Sequence, residues 1–398
     1  MALIVEKFGG SSLADGEKLR NAAGLAASEY KKGNRLVVVV SARGDTTDRL
    51  LKMAGETGRP VSARELDVLL STGEQASMAL MAMTLLHMGI PAVSLCGWQA
   101  GIRTDAENGG ARIESIDPSR ITGELEAGRV AVVAGFQGLS PAGDITTIGR
   151  GGSDTTAVAL AAALKADVCR IYTDVDGVYS ADPRLVKNAV RQDAIGYDEM
   201  LELAAQGAQV LHSRAVEMAK RFDVQIEVRS SFQNGAGTRV GEVTMEKRRV
   251  SGAACDRNVA LVTLHDVKDG QEAMVRLFSL LAERKISVGG ILLPPAAQGG
   301  SIAFSLPRDL LKSAAGALEG QRESLGYGSL SFDERVCKLS VVGAGLSGSC
   351  GVASRMFEAL HGAGVCVRCV TTGEVRISVI IDEADGEKAL AAVHAAFF

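Results

Sequence analysis

The sequence has 398 residues, which is too long for one ordinary domain and predicts two or three. Its hydrophobic content of 46% supports large packed cores, whereas an aromatic content of 4% argues against the stacking surfaces that bind single-stranded nucleic acid. The formal net charge of −4 gives no general attraction to nucleic acid or anionic membranes, and no apolar run reaches the roughly 18 residues of a membrane span.

The chain begins with an apolar strand that runs into a lysine and a glycine turn. Leu3–Lys7 is the predicted strand, Lys7–Ser12 (K-F-G-G-S-S) the turn, and Asp15–Lys32 a helix. This order of strand, glycine-rich loop and helix points backbone N–H groups and a helix N-terminus at an anion. Taken alone, a lysine at a strand end also fits a solvated side chain with no function, so both interpretations stay open for this loop.

Strands and helices alternate through the first part of the chain, which predicts an α/β layer on a mostly parallel sheet. Arg35–Ser41 is a continuous apolar run, which is typical of a strand buried on both faces. The further predicted strands are Ala92–Cys96, Arg129–Phe136, Asp167–Thr173 and Val224–Arg229, and the helices are Arg64–Met88, Thr155–Lys165, Tyr197–Ala205 and Val210–Arg221.

A second glycine loop, Gly149–Asp154 (G-R-G-G-S-D), opens the alanine-rich helix. Two such loops, each carrying a cation, predict a site that holds phosphate from two sides. The chain contains neither G-x-x-x-x-G-K-[ST] nor the H-R-D and D-F-G motifs of protein kinases, so these two phosphate-binding classes are excluded.

Polar segments follow several of the predicted strands, where the ligands of open α/β sheets bind. One further polar segment, Ser71–Glu74, interrupts an apolar helix instead. The segments at strand ends are Ser41–Asp48, Asp144–Thr147, Thr173–Tyr179 and Ala181–Arg184. Together they are the candidates for a ligand site.

The composition changes after Phe232, at a turn-rich joint that is followed by the charged segment Glu246–Arg249. A β-α-β-β order then appears twice, about 80 residues apart, which predicts two similar α+β modules that pair through sheet edges. The predicted elements are strands Val259–Leu264, Ile286–Leu292, Gly300–Leu306, Val336–Val342, Val365–Val370 and Glu374–Ile381, with helices Gly270–Arg284 and Gly351–Ala363.

Gly343–Gly348 fits the dinucleotide pattern G-x-G-x-x-G and follows a predicted strand. The acidic residue expected at the end of the next strand is missing, and only about fifty residues remain, too few for a dinucleotide domain. A glycine loop entering a helix of a small ligand-sensing module fits this segment better.

The seven cysteines, an odd number at irregular spacing, indicate reduced thiols in the cytoplasm rather than a disulfide framework. The N-terminus also lacks the pattern of a secretory signal. Cys366 and Cys369 match C-x-x-C, but in a β-like run positions three apart point to opposite faces, so we expect no shared metal. The five histidines form no ligand-spaced pair, and His212 alone is of interest.

The motifs resemble those of the aspartate kinases in the amino-acid kinase family. K-F-G-G-S-S, S-A-x-G-D-T-T-D, S-T-G-E-Q, T-T-x-G-R-G-G-S-D-T-T-A, D-V-D-G-V-Y-x-A-D-P-R and V-R-S-S-F follow in family order over residues 4 to 232. The C-terminal repeat resembles paired ACT domains, most clearly at Val341–Gly345 and Val375–Val379. The resemblance implies an α/β amino-acid kinase domain at 1–245, with a mostly parallel central sheet and helices on both faces, and ACT domains at 246–330 and 331–398.

The resemblance also implies transfer of the γ-phosphoryl group of Mg-ATP to the side-chain carboxylate of L-aspartate, giving 4-phospho-L-aspartate for the lysine, threonine and methionine pathway. It assigns catalysis to Lys7 and Asp154, with Asp154 orienting Lys7; the place of Asp154 at a helix start also suits an N-cap. It assigns aspartate binding to Ser41, Thr47, Glu74, Arg150, Gly152 and Ser153. It assigns ATP binding to Lys7, Gly9, Gly10, Ser11, Thr173, Asp174, Tyr179, Asp182 and Arg184, with Mg²⁺ held mainly by phosphates and by no protein ligand.

The sequence departs from the family pattern at several positions. Gln209 replaces the lysine of G-A-K-V-L-H-P, which predicts weaker ATP binding or slower transfer. The family's effector pockets have asparagine in I-N-I or V-N-I, and here Ser287, followed by Val288, and Cys366, followed by Val367, take its place. Cys350 stands where H-P-G-V has proline. We therefore expect a weakly regulated or specialised enzyme, and the amino-acid effector remains open.

Two alternatives remain beside aspartate kinase: a kinase of the same fold that acts on glutamate or a modified aspartate, and a catalytically poor, effector-binding regulatory protein. The presence of Lys7, Arg150 and Asp154 counts against the second alternative. Pairing of ACT domains predicts a homo-oligomer, either a dimer or a tetramer. An internal start at Met245 would give a separate short subunit.

Overall fold

The computed structural model describes residues 1–207, 210–243, 250–292, 300–346 and 350–398. These residues divide into two structural units, the first with 1–179, 191–204 and 210–243 and the second with 180–190, 205–207, 250–292, 300–346 and 350–398. Gln209, Met245 and part of the glycine-rich segment Gly343–Gly348 lie outside the described residues. Within the described ranges, no helix has the length and apolar character that crossing a membrane requires.

The elements up to residue 240 include all those predicted for the first part of the chain. The strands are β1 (Leu3–Phe8), β2 (Arg35–Val40), β3 (Ala92–Leu95), β4 (Ile102–Thr104), β5 (Ile113–Ile116), β6 (Val130–Ala134), β7 (Gln137–Leu139), β8 (Ile145–Thr147), β9 (Val168–Thr173), β10 (Ala194–Ile195), β11 (Ile226–Ser230) and β12 (Thr238–Val240). The helices are α1 (Gly16–Lys31), α2 (Thr46–Glu56), α3 (Ala63–His87), α4 (Ser119–Glu126), α5 (Gly152–Leu164), α6 (Tyr197–Ala205) and α7 (Ser213–Phe222).

An eight-stranded sheet in the order β10-β12-β11-β9-β1-β2-β6-β3 forms the centre of the first unit. β1, β2, β3, β6, β9 and β11 run parallel to their neighbours in this series, and only the pair β11–β12 within the sheet is antiparallel. The predicted mostly parallel sheet is therefore confirmed. Its strands end together, which brings the loops after β1, β2 and β9 to one edge.

The two faces of the sheet follow from the alternation of side chains along each strand. On one face, Ile4 and Phe8 of β1 pack in a core with Leu19 of α1 and Met81 of α3. On the other face, helix α5 lies against β1, β2 and β9. Lys7 alternates with Phe8 and therefore points toward α5. Leu36–Val40 is buried throughout, as expected for a strand covered on both faces.

A smaller sheet in the order β5-β4-β7-β8 was not predicted from the sequence. Its strands have only three or four residues, too few to show a period-two pattern. Helix α2 was also missed, because its first residues, Thr46-Thr47-Asp48, continue a polar segment typical of a loop. β8 is important for the site because it leads directly into the second glycine loop.

The second unit contains two four-stranded sheets, in the orders β15-β16-β14-β17 and β13-β18-β20-β19. The strands are β13 (Gly252–Asp256), β14 (Ala260–Val267), β15 (Ile291–Leu292), β16 (Gly300–Leu306), β17 (Ser329–Asp333), β18 (Val336–Val342), β19 (Cys369–Thr372) and β20 (Arg376–Asp382). The helices are α8 (Gly270–Glu283), α9 (Leu311–Glu319), α10 (Arg322–Leu325), α11 (Val352–Gly362) and α12 (Gly386–Phe397).

The two predicted α+β modules are confirmed, with one addition to their connectivity. β13 precedes the first module in the chain, but it pairs antiparallel with β18 and so completes the sheet of the second module. The sequence pattern also missed β17, α9 and α12, which follow the repeated β-α-β-β core.

Residues 180–190 belong to the second unit, although their neighbours on both sides belong to the first. Ser180 Oγ and His394 Nε2 of α12 form a hydrogen bond of 2.9 Å, and the Ala253 amide of β13 donates to the Ser180 carbonyl at 2.7 Å. Ala181 and Val186 are buried in the hydrophobic core around β18 and α12. The predicted nucleotide residues Asp182 and Arg184 are therefore carried by the second unit.

Candidate active site

The first glycine loop, Lys7–Ser12, turns sharply at the end of β1. The Gly9 amide donates to the Tyr172 carbonyl of β9 at 3.3 Å, and the Gly44 amide donates to the Gly10 carbonyl at 3.0 Å. A Cβ on Gly10 would lie 2.6 Å from the carbonyl oxygen of Ala42, closer than real Cβ atoms approach, so only glycine fits here. The loop is thus held between the ends of β9 and β2, while Ser11 is exposed.

The second glycine loop, Gly149–Asp154, leads from β8 into α5. Gly151 is the N-cap of α5 and has φ +68°, and a Cβ on it would lie 2.2 Å from Cγ of His212. His212, of interest from the sequence alone, therefore packs directly against this loop, and burial lowers its pKa. Ser153 is buried beside Gly135, and a Cβ on Gly135 would lie 2.7 Å from Ser153 Oγ.

An ion pair joins the two glycine loops. Lys7 Nζ lies 2.6 Å from Asp154 Oδ1, and the two side chains are 11% and 13% exposed. Lys7 is therefore not a freely solvated residue at a strand end. Asp154 lies in the first turn of α5, and because Gly151 occupies the N-cap position, the N-cap suggested for Asp154 is wrong. A desolvated ammonium group held in place at a strand end is well suited to stabilise phosphoryl oxygens.

Glu74 is buried within α3, and its carboxylate faces the loop that follows β2. The Ala42 amide donates to Glu74 Oε1 at 3.0 Å, while Oε2 has no hydrogen-bond partner within the described part of the chain. Burial raises the pKa of Glu74 to about 7. Gly73 allows the close approach, since a Cβ there would lie 2.9 Å from the Ala42 side chain. A buried carboxylate with one unsatisfied oxygen is a ready site for a ligand's ammonium group.

The remaining residues predicted for substrate binding lie on the same loops. Ser41 directly follows β2 and Thr47 lies in the first turn of α2, and both are half-buried. Arg150 is exposed on the second glycine loop and forms no ion pair with the residues that the structure describes. Gly152 is the first residue of α5, where a Cβ would lie 2.8 Å from the Phe136 ring.

The residues predicted for the nucleotide side fall into two groups. Thr173 ends β9 and donates to the exposed Asp174 at 3.0 Å, and the Tyr179 hydroxyl donates to Asp176 at 2.8 Å. Asp182 and Arg184 lie in the second unit, where Arg184 Nη2 lies 2.7 Å from Asp182 Oδ2.

The predicted effector residues occupy equivalent places in the two modules of the second unit. Ser287 and Cys366 are exposed, while Val288 and Val367 pack against the core of their own module. Cys366 precedes β19, and Cys369, its first residue, is buried, so the two thiols differ in exposure. All seven cysteines are free.

Sequence reasoning missed two charged residues that support the second glycine loop. Asp67 is almost fully buried in α3 and accepts hydrogen bonds from Gly109 and Thr147. Arg214 of α7 donates to the carbonyl oxygens of Ile148 and Ala111. In the sequence, an aspartate or an arginine in a helix carries no mark of burial, so no local signal was available for either.

Two family models match the chain. The model of the amino acid kinase family matches residues 2–230, and an ACT domain model matches residues 339–397. The chain is 45% identical to Aspartokinase 2 of Bacillus subtilis (strain 168) over 399 residues, which covers 100% of this chain and 98% of that protein.

Solved structures agree with the sequence relatives. The chain matches E. coli aspartokinase III in complex with aspartate and ADP, in the R-state, with a TM-score of 0.85 and 27% identity, covering 100% of both chains. It matches E. coli aspartokinase III in complex with lysine and aspartate, in the T-state, with a TM-score of 0.78 and 27% identity, covering 100% of this chain and 99% of the other.

Proposed function

The chain belongs to the amino acid kinase family and is an aspartate kinase, and we propose that its two glycine loops form the site of phosphoryl transfer. The reaction moves the γ-phosphoryl group of ATP to the side-chain carboxylate of L-aspartate and yields 4-phospho-L-aspartate. The observation that carries this placement is the Lys7–Asp154 ion pair, which joins both anion-binding loops at the carboxyl end of the sheet.

Lys7 and the loop amides would supply most of the catalysis. The attacking carboxylate is already an anion, so the reaction needs no general base. The difficulty is to bring this carboxylate to a polyphosphate and to stabilise the charge spread over the transferring oxygens. Lys7 would contact these oxygens, Asp154 would orient Lys7, and the Gly10 amide would cradle phosphate, since the Gly9 amide already donates to the Tyr172 carbonyl. Ser11 would complete this side of the cradle.

L-aspartate would be bound by charges of both signs. The exposed guanidinium of Arg150 would form a bidentate pair with a substrate carboxylate. The free Oε2 of Glu74 would accept the ammonium group, which also explains why a buried carboxylate keeps one oxygen unsatisfied. Ser41, Thr47, Gly152 and Ser153 would complete this pocket.

The nucleotide would lie toward Thr173, Asp174 and Tyr179 of the first unit. Magnesium supplies charge neutralisation between the phosphates when it is bound, and it usually keeps several waters and binds through substrate oxygens. We therefore assign Mg²⁺ to the ATP phosphates and give it no protein ligand. Glycine at position 10 lets the first loop pack against the Ala42 carbonyl, which fixes the loop beside the end of β2.

An assay that traps acyl phosphates with hydroxylamine tests the function directly. Purified protein with ATP and Mg²⁺ should form a hydroxamate with L-aspartate and none with L-glutamate or D-aspartate. Hydroxamate from L-glutamate alone would identify the kinase for another amino acid. No hydroxamate with any acid would favour a regulatory protein that has kept the scaffold.

The pKa of Glu74 predicts how aspartate binding depends on pH. Because the folded-state pKa is raised to about 7, the unliganded carboxyl is mostly protonated at pH 6 and must ionise to accept the substrate ammonium. The KM for aspartate should therefore fall about tenfold between pH 6 and pH 8, at saturating Mg-ATP. Initial rates against aspartate concentration at each pH would measure this.

The Glu74→Gln variant is the control for the pH dependence. It should raise the KM for aspartate and remove the fall with pH, because an amide does not ionise. Without ligand it should be more stable than the wild type at pH 8. In the wild type, the protonated Glu74 side chain contributes its full stability to the fold below its unfolded-state pKa of 4.5. This contribution is lost as the pH rises through the folded-state pKa of about 7. A pH profile unchanged in the variant would contradict the assignment of Glu74.

Regulation by amino-acid effectors is expected to be weak. Ser287 and Cys366 stand where the family has asparagine, and a seryl or thiol side chain cannot offer both the donor and the acceptor of an amide in the same geometry. Millimolar lysine plus threonine should leave turnover within about twofold of the effector-free rate, whereas allosteric effectors typically act by about 5- to 150-fold. Strong inhibition in a steady-state assay would overturn this expectation.

The sheets of the second unit suggest how copies of the chain assemble. The four-stranded sheets of the second unit have edge strands, β15, β17, β13 and β19, through which two copies of the chain would pair into a dimer or tetramer. Seven free thiols suit a reducing compartment, and we infer that the enzyme acts in the cytoplasm.

A further inference from the structure

Residues 105–111, which we call the strap, connect β4 to β5 and lie against the second glycine loop. Gly149 has φ +84°, and a Cβ on it would lie 2.9 Å from the carbonyl oxygen of Gly109. The Ala111 amide donates to the Thr147 carbonyl at 2.9 Å. The strap therefore contacts both the end of β8 and the first residue of the loop that carries Arg150.

Asp67 fixes the strap from the side of α3. The residue is 1% exposed, and its carboxylate accepts hydrogen bonds from the Gly109 amide at 3.0 Å and the Asn108 side chain at 3.0 Å. It also accepts from the amide of Thr147 at 3.0 Å and from its hydroxyl at 2.6 Å. Every one of these donors belongs to the strap or to the last residue of β8. A buried carboxylate is retained only when its oxygens are satisfied, and here it binds the two segments to each other.

Arg214 fixes the same two segments from α7. Its guanidinium donates to the Ile148 carbonyl at 2.6 Å and to the Ala111 carbonyl at 3.0 Å. Ile148 directly precedes Gly149, so the bond lies two residues from Arg150. Two charged side chains of opposite sign, on two different helices, therefore bind the strap and the two residues that precede the second glycine loop, Thr147 and Ile148.

We propose that Asp67 and Arg214 are positioning residues that hold the second glycine loop in the conformation in which Arg150 binds aspartate. Neither side chain touches the substrate; each acts through the backbone of the loop. The inference rests on the proposed function, because it assigns to the loop the role of an aspartate clamp. A misplacement of about 1 Å in such a clamp is enough to cost about 100-fold in rate.

The test compares Asp67→Asn and Arg214→Gln with matched variants on the same two helices. Glu65→Gln alters an exposed residue of α3 that, among the described residues, forms an ion pair with its neighbour Arg64 alone, and Arg221→Gln alters an exposed residue of α7. In the full-length chain, the two test variants should raise the KM for aspartate at least ~10-fold. The KM for aspartate of the two control variants should stay within twofold of the wild-type value. A protein that was merely less stable would lose active enzyme, and hence kcat, with an unchanged KM.

Hydrogen exchange gives a readout that does not depend on the reaction. Amides of residues 145–153 should exchange at least ~10-fold faster in Arg214→Gln than in Arg221→Gln, because the loop has lost its anchor. In Arg214→Ala, added methylguanidinium should lower the KM for aspartate again, whereas methylammonium at the same concentration should not, since it lacks the planar pair of donors.

The outcomes separate the inference from the function on which it rests. If wild-type protein forms aspartyl hydroxamate while both test variants keep a wild-type KM and wild-type exchange, the positioning role is wrong and the function stands. If the wild type forms no hydroxamate, the proposed function fails, and unchanged exchange in Arg214→Gln would independently reject the anchor. Should Asp67→Asn not fold, the two Arg214 variants decide the question.

Discussion

Replacing Lys7 by alanine should reduce kcat at least ~100-fold, because the variant lacks the positive charge that follows the transferring phosphoryl group. The Lys7 side chain is 11% exposed and its Nζ lies 2.6 Å from Asp154 Oδ1, so the ammonium group is held in place at the proposed site. The KM for aspartate should change little, because Arg150 and Glu74 remain. Steady-state kinetics with hydroxylamine trapping would measure both constants.

The Lys7 variant also leaves Asp154 without its partner, which costs stability as well as charge. A double variant, Lys7→Met with Asp154→Asn, removes the pair without leaving a buried charge. It should recover Tm relative to Lys7→Ala while kcat stays low. Lys18→Ala on α1, which removes a half-buried lysine paired with Asp15, is the control and should keep full activity. A near-normal kcat in Lys7→Ala would remove Lys7 from the mechanism.

Replacing Arg150 by alanine should raise the KM for aspartate about 100-fold, with a smaller effect on kcat. Hydrogen bonds to a charged group contribute up to about 3 kcal/mol, which corresponds to about 100-fold in binding. The KM for aspartate of Arg150→Lys should lie between those of the wild type and Arg150→Ala, because lysine keeps the charge but loses the planar pair of donors. Initial rates against aspartate concentration at saturating Mg-ATP would give the constants.

Arg35→Ala provides the control for Arg150. Arg35 is exposed at the start of β2, at the opposite end of the strand from the glycine loops. The KM for aspartate of Arg35→Ala should therefore equal that of the wild type. The KM for ATP should change less than the KM for aspartate in Arg150→Ala. If both rise equally, the arginine binds phosphate rather than the amino acid.

The sequence was most informative where function imposes unusual residues. Both glycine loops could be found because their glycines serve backbone positions that no Cβ fits, such as Gly10 beside Ala42 and Gly151 beside His212. The polar segment around Glu74 was visible because a charged residue interrupts an apolar helix. The apolar run of β2 likewise predicted a strand buried on both faces, which the sheet confirms.

The rest depended on contacts between distant parts of the chain. The ion pair between Lys7 and Asp154 links residues on β1 and α5 that only the folded sheet brings together. Asp67 looks like any helical surface aspartate until its hydrogen bonds to the strap are seen. The strands of the small sheet are too short for a pattern of their own, so their pairing partners define them.

The path of the chain through residues 180–190 also limits how the protein can be divided. Ala181 and Val186 lie in the core around β18 and α12, yet in the sequence they precede the joint between the predicted domains, which ends the first domain at residue 245. A fragment that ends at that joint would expose these two apolar side chains to water. A fragment that begins there would lack them and would leave His394 without the hydroxyl of Ser180. A single cut in the gene therefore cannot yield two pieces that each retain a complete interior.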